Sequence, residues 1–334
     1  MTAVYRTIST GLIAGIIALS GCGGGGGTNV AGIGGTGKTI SGTITGFGSI
    51  FVNDVEYDID NASFTINDDS SPGLGQADLR IGMVVTLTGN DDGTVGIASQ
   101  VVYDNEIKGP VNGLADVPGF AGVKQSFSVF GVDVIVDVAD TTFDDSSSPG
   151  FSFATLAEGD IVEVSGLFDS SNTLVATYIE KTDDLDPGNS EVELKGTPDA
   201  GTDAGVGESF TLNGVTVNIV AGTDLGDIPG NRVTDTQFIE VKGTLVTTSP
   251  DIIDAIRIEQ EDDGIDWDDG EVSIEGFVSD FIDNSSFTVS GQQVDATGAE
   301  FEPAGLVLSN DLRVEVEGTI INGILNAEKV KLED

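Results

Sequence analysis

The feature that most constrains this chain is a short strand signature that returns four times. Val85-Thr86-Leu87-Thr88-Gly89, Val162-Glu163-Val164-Ser165-Gly166, Ile239-Glu240-Val241-Lys242-Gly243 and Val314-Glu315-Val316-Glu317-Gly318 all alternate apolar with polar residues and stop on glycine. Those glycines lie 77, 77 and 75 residues apart. Upstream of each stands a hairpin signal: Val52-Asn53-Asp54-Val55, Val129-Phe130-Gly131-Val132, Leu212-Asn213-Gly214-Val215 and Val289-Ser290-Gly291-Gln292, spaced by 77, 83 and 77 residues. Residues that tolerate positive φ, set between alternating apolar positions, make two-residue turns. Two landmarks holding one period describe a single small β unit repeated along the chain.

Each unit opens with a strand that carries an internal glycine, clearest at Gly42 within Ile40-Ser41-Gly42-Thr43-Ile44 and at Gly276 within Ile274-Glu275-Gly276-Phe277-Val278. Each closes with an alternating strand, over 100–103, 176–181, 255–260 and 327–332. Period two puts one face on a core and the other in water. No stretch carries a helical period. About five strands in roughly 70–80 residues, with glycines where strands must bend, predict an all-β chain of four tandem small barrels. An open sandwich of two short sheets is the alternative. The expected boundaries are 39–108, 109–188, 189–264 and 265–334, each a separate folding unit with its own core. Phe127, Phe210, Phe287, Phe143 and Phe301 fall at repeat-equivalent positions and read as core.

Three stretches carry a family resemblance: 156–166 (Leu-Ala-Glu-Gly-Asp-Ile-Val-Glu-Val-Ser-Gly), 210–217 (Phe-Thr-Leu-Asn-Gly-Val-Thr-Val) and 287–291 (Phe-Thr-Val-Ser-Gly). They resemble an uncharacterised bacterial family of tandem small β domains found in lipoproteins, the domain of unknown function family 5666, over about residues 39 to 334. The resemblance implies an oligonucleotide/oligosaccharide-binding-type barrel. It supplies no reaction and no catalytic residues. Copy one departs by placing Asp54 where the hairpin glycine belongs, and copy three lacks the Gly-Asp pair of Gly159-Asp160.

The N-terminus has the layout of a secretory signal peptide: basic Arg6, an apolar run from Leu12 to Leu19, then Ser20-Gly21-Cys22. The apolar run is too short to span a bilayer. Leu19-Ser20-Gly21-Cys22 resembles the bacterial lipobox, which implies cleavage after residue 21 and acylation of Cys22, the chain's one cysteine. Residues 22–38, opened by the glycines at 23–27, then read as a lipidated flexible tether. Gly23 rather than Asp after the cysteine implies sorting to the outer membrane, with the domains periplasmic or surface-exposed.

With 56 acidic and 13 basic residues the formal charge is −43, which repels phosphate backbones and anionic headgroups. Nucleic acid is therefore excluded as a partner, and membrane contact falls to the lipid on Cys22. The chain has no histidine, which removes Ser-His-Asp and Cys-His catalysis and histidine metal sites. These exclusions point to a non-catalytic structural or binding role at the cell envelope, toward an unidentified envelope protein or polysaccharide. The alternative is a carbohydrate-binding or glycoside-hydrolysing protein built on paired carboxylates. One tryptophan and four tyrosines provide little for the aromatic platforms of a sugar site.

Two motifs invite a ligand. Gly32-Ile33-Gly34-Gly35-Thr36-Gly37-Lys38-Thr39 fits a P-loop pattern, but the chain from Thr39 to Ile44 reads as a strand where the motif needs a helix. Acidic loops at Asp68-Asp69, Asp144-Asp145 and 261–271 concentrate hard oxygen ligands suited to Ca²⁺. The candidate ligands are Asp144, Asp145, Asp262, Asp263, Asp266, Asp268, Asp269 and Glu271, although none has EF-hand spacing. Solvated acidic linkers are the simpler reading, so no cofactor is expected.

Overall fold

The computed structural model describes residues 37–261 and 270–333. Strand pairing shows most plainly in copy four, where Glu271–Asp283 meets Ser286–Val289, which meets Gln292–Asp295. Gln292–Asp295 lies parallel to Ile324–Leu332, which returns antiparallel to Arg313–Ile321 and so to the first strand. That circuit is a closed barrel of five strands in the order 1-2-3-5-4-1, with strands three and five parallel. Copy one closes the same way through Lys38–Gly46, Ile50–Val52, Val55–Asp58, Val84–Asp91 and Val95–Tyr103. In copy two the first strand is bent at Val111. Its first half, Ile107–Pro110, pairs with Asp160–Phe168, and its second half, Asn112–Asp116, pairs with Lys124–Val129. Copy three stays open between its first two strands, bridged there by the Asp199 N–H donating to Thr211 O at 3.0 Å. The fold is therefore all-β, four tandem barrels of the oligonucleotide/oligosaccharide-binding type. Helix among the described residues is confined to two single turns, Gln76–Asp78 and Pro229–Asn231.

The repeated glycines now have a physical cause. Each fourth strand bulges at its signature glycine, where the register shifts by one residue, and then runs on rather than stopping there as the sequence suggested. A Cβ on Gly318 would sit 2.2 Å from Asn326 O, and one on Gly166 would sit 2.3 Å from Val175 O. The partner backbone crosses too closely for any side chain. The first-strand glycine clears a different obstacle. A Cβ on Gly42 would meet Asn53 Oδ1 at 2.0 Å, and one on Gly276 would meet Ser290 Oγ at 2.3 Å. Both neighbours are the first residue of the hairpin turn, at φ 52° and 47°. From there Asn53 Nδ2 donates to Ser41 O at 3.2 Å, and Ser290 Oγ donates to Glu275 O at 3.0 Å. The first-strand glycine and the hairpin turn are thus two halves of one contact.

Inside the barrels the alternating Val, Ile and Leu side chains are buried, with Phe127, Phe210 and Phe287 among them. Copies one and four keep separate cores, while copies two and three share one continuous cluster. Outside, the period-two expectation fails in a revealing way. Glu163, Ser165, Glu193, Glu240, Glu275 and Glu315 occupy positions that alternation assigns to water, yet all are buried. Other copies cover them. The first half of each first strand has a free edge, and exposed edges invite pairing. Copies one and four pair these edges in parallel, with Thr39, Ile40 and Ser41 opposite Val272, Ser273 and Ile274. Copies two and three join theirs antiparallel, with Glu193 opposite Lys108. The copies are welded rather than strung as separate beads.

Candidate functional site

The welded edges of copies two and three build the most unusual chemistry among the described residues. Backbone register sets Glu163, Lys108, Glu193, Lys242 and Arg257 side by side across five strands. Two residues along, Lys195, Glu240 and Glu259 make a second row. Side chains at i and i+2 share a face, so the rows form one charged surface. Copy one covers it. The turn at Asn67-Asp68 and the segment Tyr103–Asn105 lie over the rows: Asn67 Nδ2 donates to Glu163 Oε1 at 3.1 Å, and the Tyr103 hydroxyl donates to the same oxygen at 3.3 Å.

Two lysines hold the acids. Lys242 Nζ lies 2.5 Å from Asp68 Oδ2, 3.2 Å from Glu240 Oε2 and 3.6 Å from Glu193 Oε2. Lys195 Nζ contacts Asp104 and stands 3.6 Å from Glu240 Oε1. Burial would depress both ammonium groups, but the surrounding carboxylates prevail and hold both well above the ordinary lysine range. Acids outnumber bases here. Burial, reinforced by the charge of Glu240, pushes Glu193 up to about 9. Burial with the charge of Asp68 pushes Glu259 to about 7. Asp68 goes the other way: burial is the strongest single influence and would raise it, but the hydrogen bond and charge of Lys242, with Glu240 and Arg257, together bring it below the usual carboxylate range.

Oxygens of Asp104, Glu193 and Glu240 all lie within 4.8 Å of one another, and so do those of Asp68, Glu240 and Glu259. Either set offers a hard cation three carboxylate ligands. Copy one covers most of these acids, with Asp104 left partly exposed.

The family model for Domain of unknown function (DUF5666) matches residues 108–180, 195–259 and 275–331, more than half of the chain. The chain belongs to that family. No curated protein matches it. The DUF5666 stretches fall in copies two, three and four and hold every member of the charged rows except Glu193, while copy one supplies their cover.

The ligands expected from sequence lie elsewhere. Asp144 is engaged by Arg80 Nε at 2.8 Å and by the Tyr178 hydroxyl at 3.2 Å, which ties copy two to copy one. Burial would raise it, but hydrogen bonds from Ser146, then Tyr178 and Arg80, hold it below the usual carboxylate range. Asp145 is exposed and accepts a bond from the Gly150 N–H at 3.4 Å. Glu271 is exposed at the start of a strand, with its backbone opposite Thr319. Cys22 and Asp262, Asp263, Asp266, Asp268 and Asp269 lie outside the described residues. The acidic loops at Asp68 and Asp144 are thus clamps between copies. Lys38 of the P-loop pattern opens a strand, and its Nζ sits 3.2 Å from Asp91 Oδ2 and 3.5 Å from Glu317 Oε2. Aromatic platforms are also missing from the described tyrosines: Tyr57, Tyr103 and Tyr178 are all fully buried.

Sequence reading missed Asp104, Glu193, Glu240 and Glu259. The signal was present in Glu193-Leu194-Lys195 and Glu240-Val241-Lys242, acid and base two apart on strands of one copy. Such patterning ordinarily marks a solvated face, and only the cover from copy one changes its meaning.

Proposed function

We propose that this DUF5666 chain is a lipid-anchored protein of the bacterial cell envelope with a non-catalytic structural or binding role. The observation that carries the anchor is Leu19-Ser20-Gly21-Cys22 at the end of an apolar run, followed at once by a glycine tether. An acylated cysteine on a flexible leash holds a folded body at a membrane surface without spanning it. The non-catalytic reading is supported by what the buried charges do. They pair with one another, across copies in Arg80–Asp144 and Lys242–Asp68 and within copy four in Arg313–Glu275. A surface depression of about 380 Å³ in copy three, lined by residues 199–204 and 208–211, contains two carboxylates already engaged. Asp203 and Glu208 there share the guanidinium of Arg232.

Cys22→Ser tests the anchor. The variant is expected in the soluble fraction, while the native chain sediments with membranes and incorporates labelled fatty acid. A Cys22→Ser chain that remains membrane-bound after signal cleavage overturns the reading.

A further inference from the structure

We propose that Asp104, Glu193 and Glu240 form a binding site for one divalent cation of the calcium type, placed where copies one, two and three meet. Three carboxylate oxygens within 4.8 Å of one another can all reach one ion at Ca²⁺–oxygen distances of about 2.3–2.6 Å. The donor set is all oxygen, which suits a hard cation and not zinc or copper. A second observation points the same way. Asp104 Oδ1, Glu193 Oε1 and both Glu240 oxygens are buried and accept no hydrogen bond among the described residues. The Glu240 side chain is 1% exposed and that of Glu193 is 7% exposed. A buried carboxylate oxygen without a donor carries a large desolvation cost, which a bound cation removes.

The neighbouring triad of Asp68, Glu240 and Glu259 is the weaker claimant to Glu240, because Asp68 is held at 2.5 Å by Lys242. Lys195 and Lys242 do not neutralise the surface. Asp68, Asp104, Glu106, Glu193, Glu240 and Glu259 face them, with Lys108 and Arg257 the other two bases of the surface. Asp104 is 26% exposed and gives the ion its way in. Because two ligands come from strands of copy three and one from the segment that leaves copy one, the ion locks copy three to copy one. The site does not depend on the membrane anchor.

The test uses the full-length chain freed of metal with EDTA. It is titrated calorimetrically with CaCl₂ and melted in CaCl₂ against NaCl of equal ionic strength. One Ca²⁺ is expected to bind per chain and to raise the melting temperature above the NaCl control, since a ligand of the native state stabilises it. Glu193→Gln and Asp104→Asn should each weaken binding by about tenfold or more, as loss of even a supporting group does at metal sites. Asp104→Asn, at the partly exposed position, keeps the test readable where Glu193→Gln does not fold. Asp145→Asn should change nothing. Equal melts in CaCl₂ and NaCl overturn the proposal. Binding that survives Glu193→Gln and Asp104→Asn but disappears in Asp266→Asn/Asp268→Asn also overturns it, by assigning the ion to the acidic run. So does a Glu193→Gln chain more stable than native in EDTA with no calcium effect in either, which makes the cluster a pair of carboxyls sharing a proton.

Discussion

Two strand-edge junctions join the copies in pairs, and the same strand edge serves both in opposite ways. Between copies one and four the first strands run parallel, and the buried acids beside them accept hydrogen bonds from short polar groups, with ion pairs such as Lys331–Asp54 and Lys38–Glu317 at the margin. Asn53 Nδ2 donates to Ser273 Oγ at 2.6 Å, Ser273 Oγ donates to Glu315 Oε1 at 2.7 Å, and the Thr43 N–H donates to Glu275 Oε2 at 2.6 Å. Here each buried acid accepts a hydrogen bond from a group fixed by the backbone. Between copies two and three the strands run antiparallel, and long charged side chains fill the same positions. There Glu240 is met by two lysines but accepts no hydrogen bond. Hydrogen bonds satisfy a buried acid locally; an ion pair in a surface with surplus acid leaves it dependent on every neighbour. The first junction should tolerate the loss of a cation, and the second should not.

Lys195→Met and Arg313→Met make the sharpest break between them. Lys195 is the partner of Asp104 and stands against Glu240 and Glu106, so its removal strands several buried acids. Breaking a buried pair by deleting one partner costs about 3–5 kcal/mol, and Lys195→Met should fall in that range. Arg313 pairs with Glu275 and donates to Thr43 Oγ1 at 3.0 Å, but Glu275 keeps the Thr43 N–H. Arg313→Met should therefore cost roughly half as much, the loss of a charge-assisted bond. Urea unfolding of both variants measures the difference. Equal losses would show that the junctions are energetically alike despite their chemistry.

The pH response separates them next. Burial raises Glu315 to about 7, against the hydrogen bond from Ser273 that pulls it down. A carboxyl whose folded pKa exceeds its unfolded value holds its proton more tightly when folded. Stability from this group is therefore full below about 4.5, falls as pH rises toward 7, and is flat above that. Glu315→Gln removes the dependence while keeping an acceptor for Ser273. The variant should match the native chain at pH 4 and exceed it at pH 8 by up to about 3 kcal/mol, the value of the full shift. Melts across that range check it, and a constant difference at every pH would place the cost of Glu315 in packing instead.

Most of the architecture was legible because local chemistry and global fold agree in each copy. The signature glycines announce bulges, although the strands run on past them, and the Asn53, Asn213 and Ser290 turns announce the strand ends that the barrel requires. The junctions were not legible. Glu240 and Lys242 on one strand look like a solvated face, and nothing local to Asp68 says that it closes over Lys242 from another copy. Alternation reports which side of a strand meets the core of its own barrel. It is silent on whether a second barrel covers the other side, and that second burial decides the chemistry here. Asp54 is the intermediate case. Its departure from the hairpin glycine was visible, but its reason, Lys331 of copy four with Nζ 2.5 Å away, was not.

The turn at Asn53-Asp54 gives the finest division of the neutral junction. Both residues are at positive φ, 52° and 60°, so glycine is conformationally acceptable at either. Asn53 is buried and bonded to Ser41 O and Ser273 Oγ, the second bond crossing between copies. Asn53→Gly should cost about 1–3 kcal/mol, because it leaves buried groups without their partner. The Asp54 side chain is 75% exposed, and Lys331 retains Glu333 at 2.6 Å and Glu315 at 3.7 Å. An exposed ion pair contributes about 0–1 kcal/mol, and glycine relieves the strain of a side chain in the left-handed region. Asp54→Gly should therefore leave stability within about 1 kcal/mol of native. A larger loss in urea unfolding would mean that copies one and four also depend on a charge pair, and the contrast with copies two and three would narrow to one of degree.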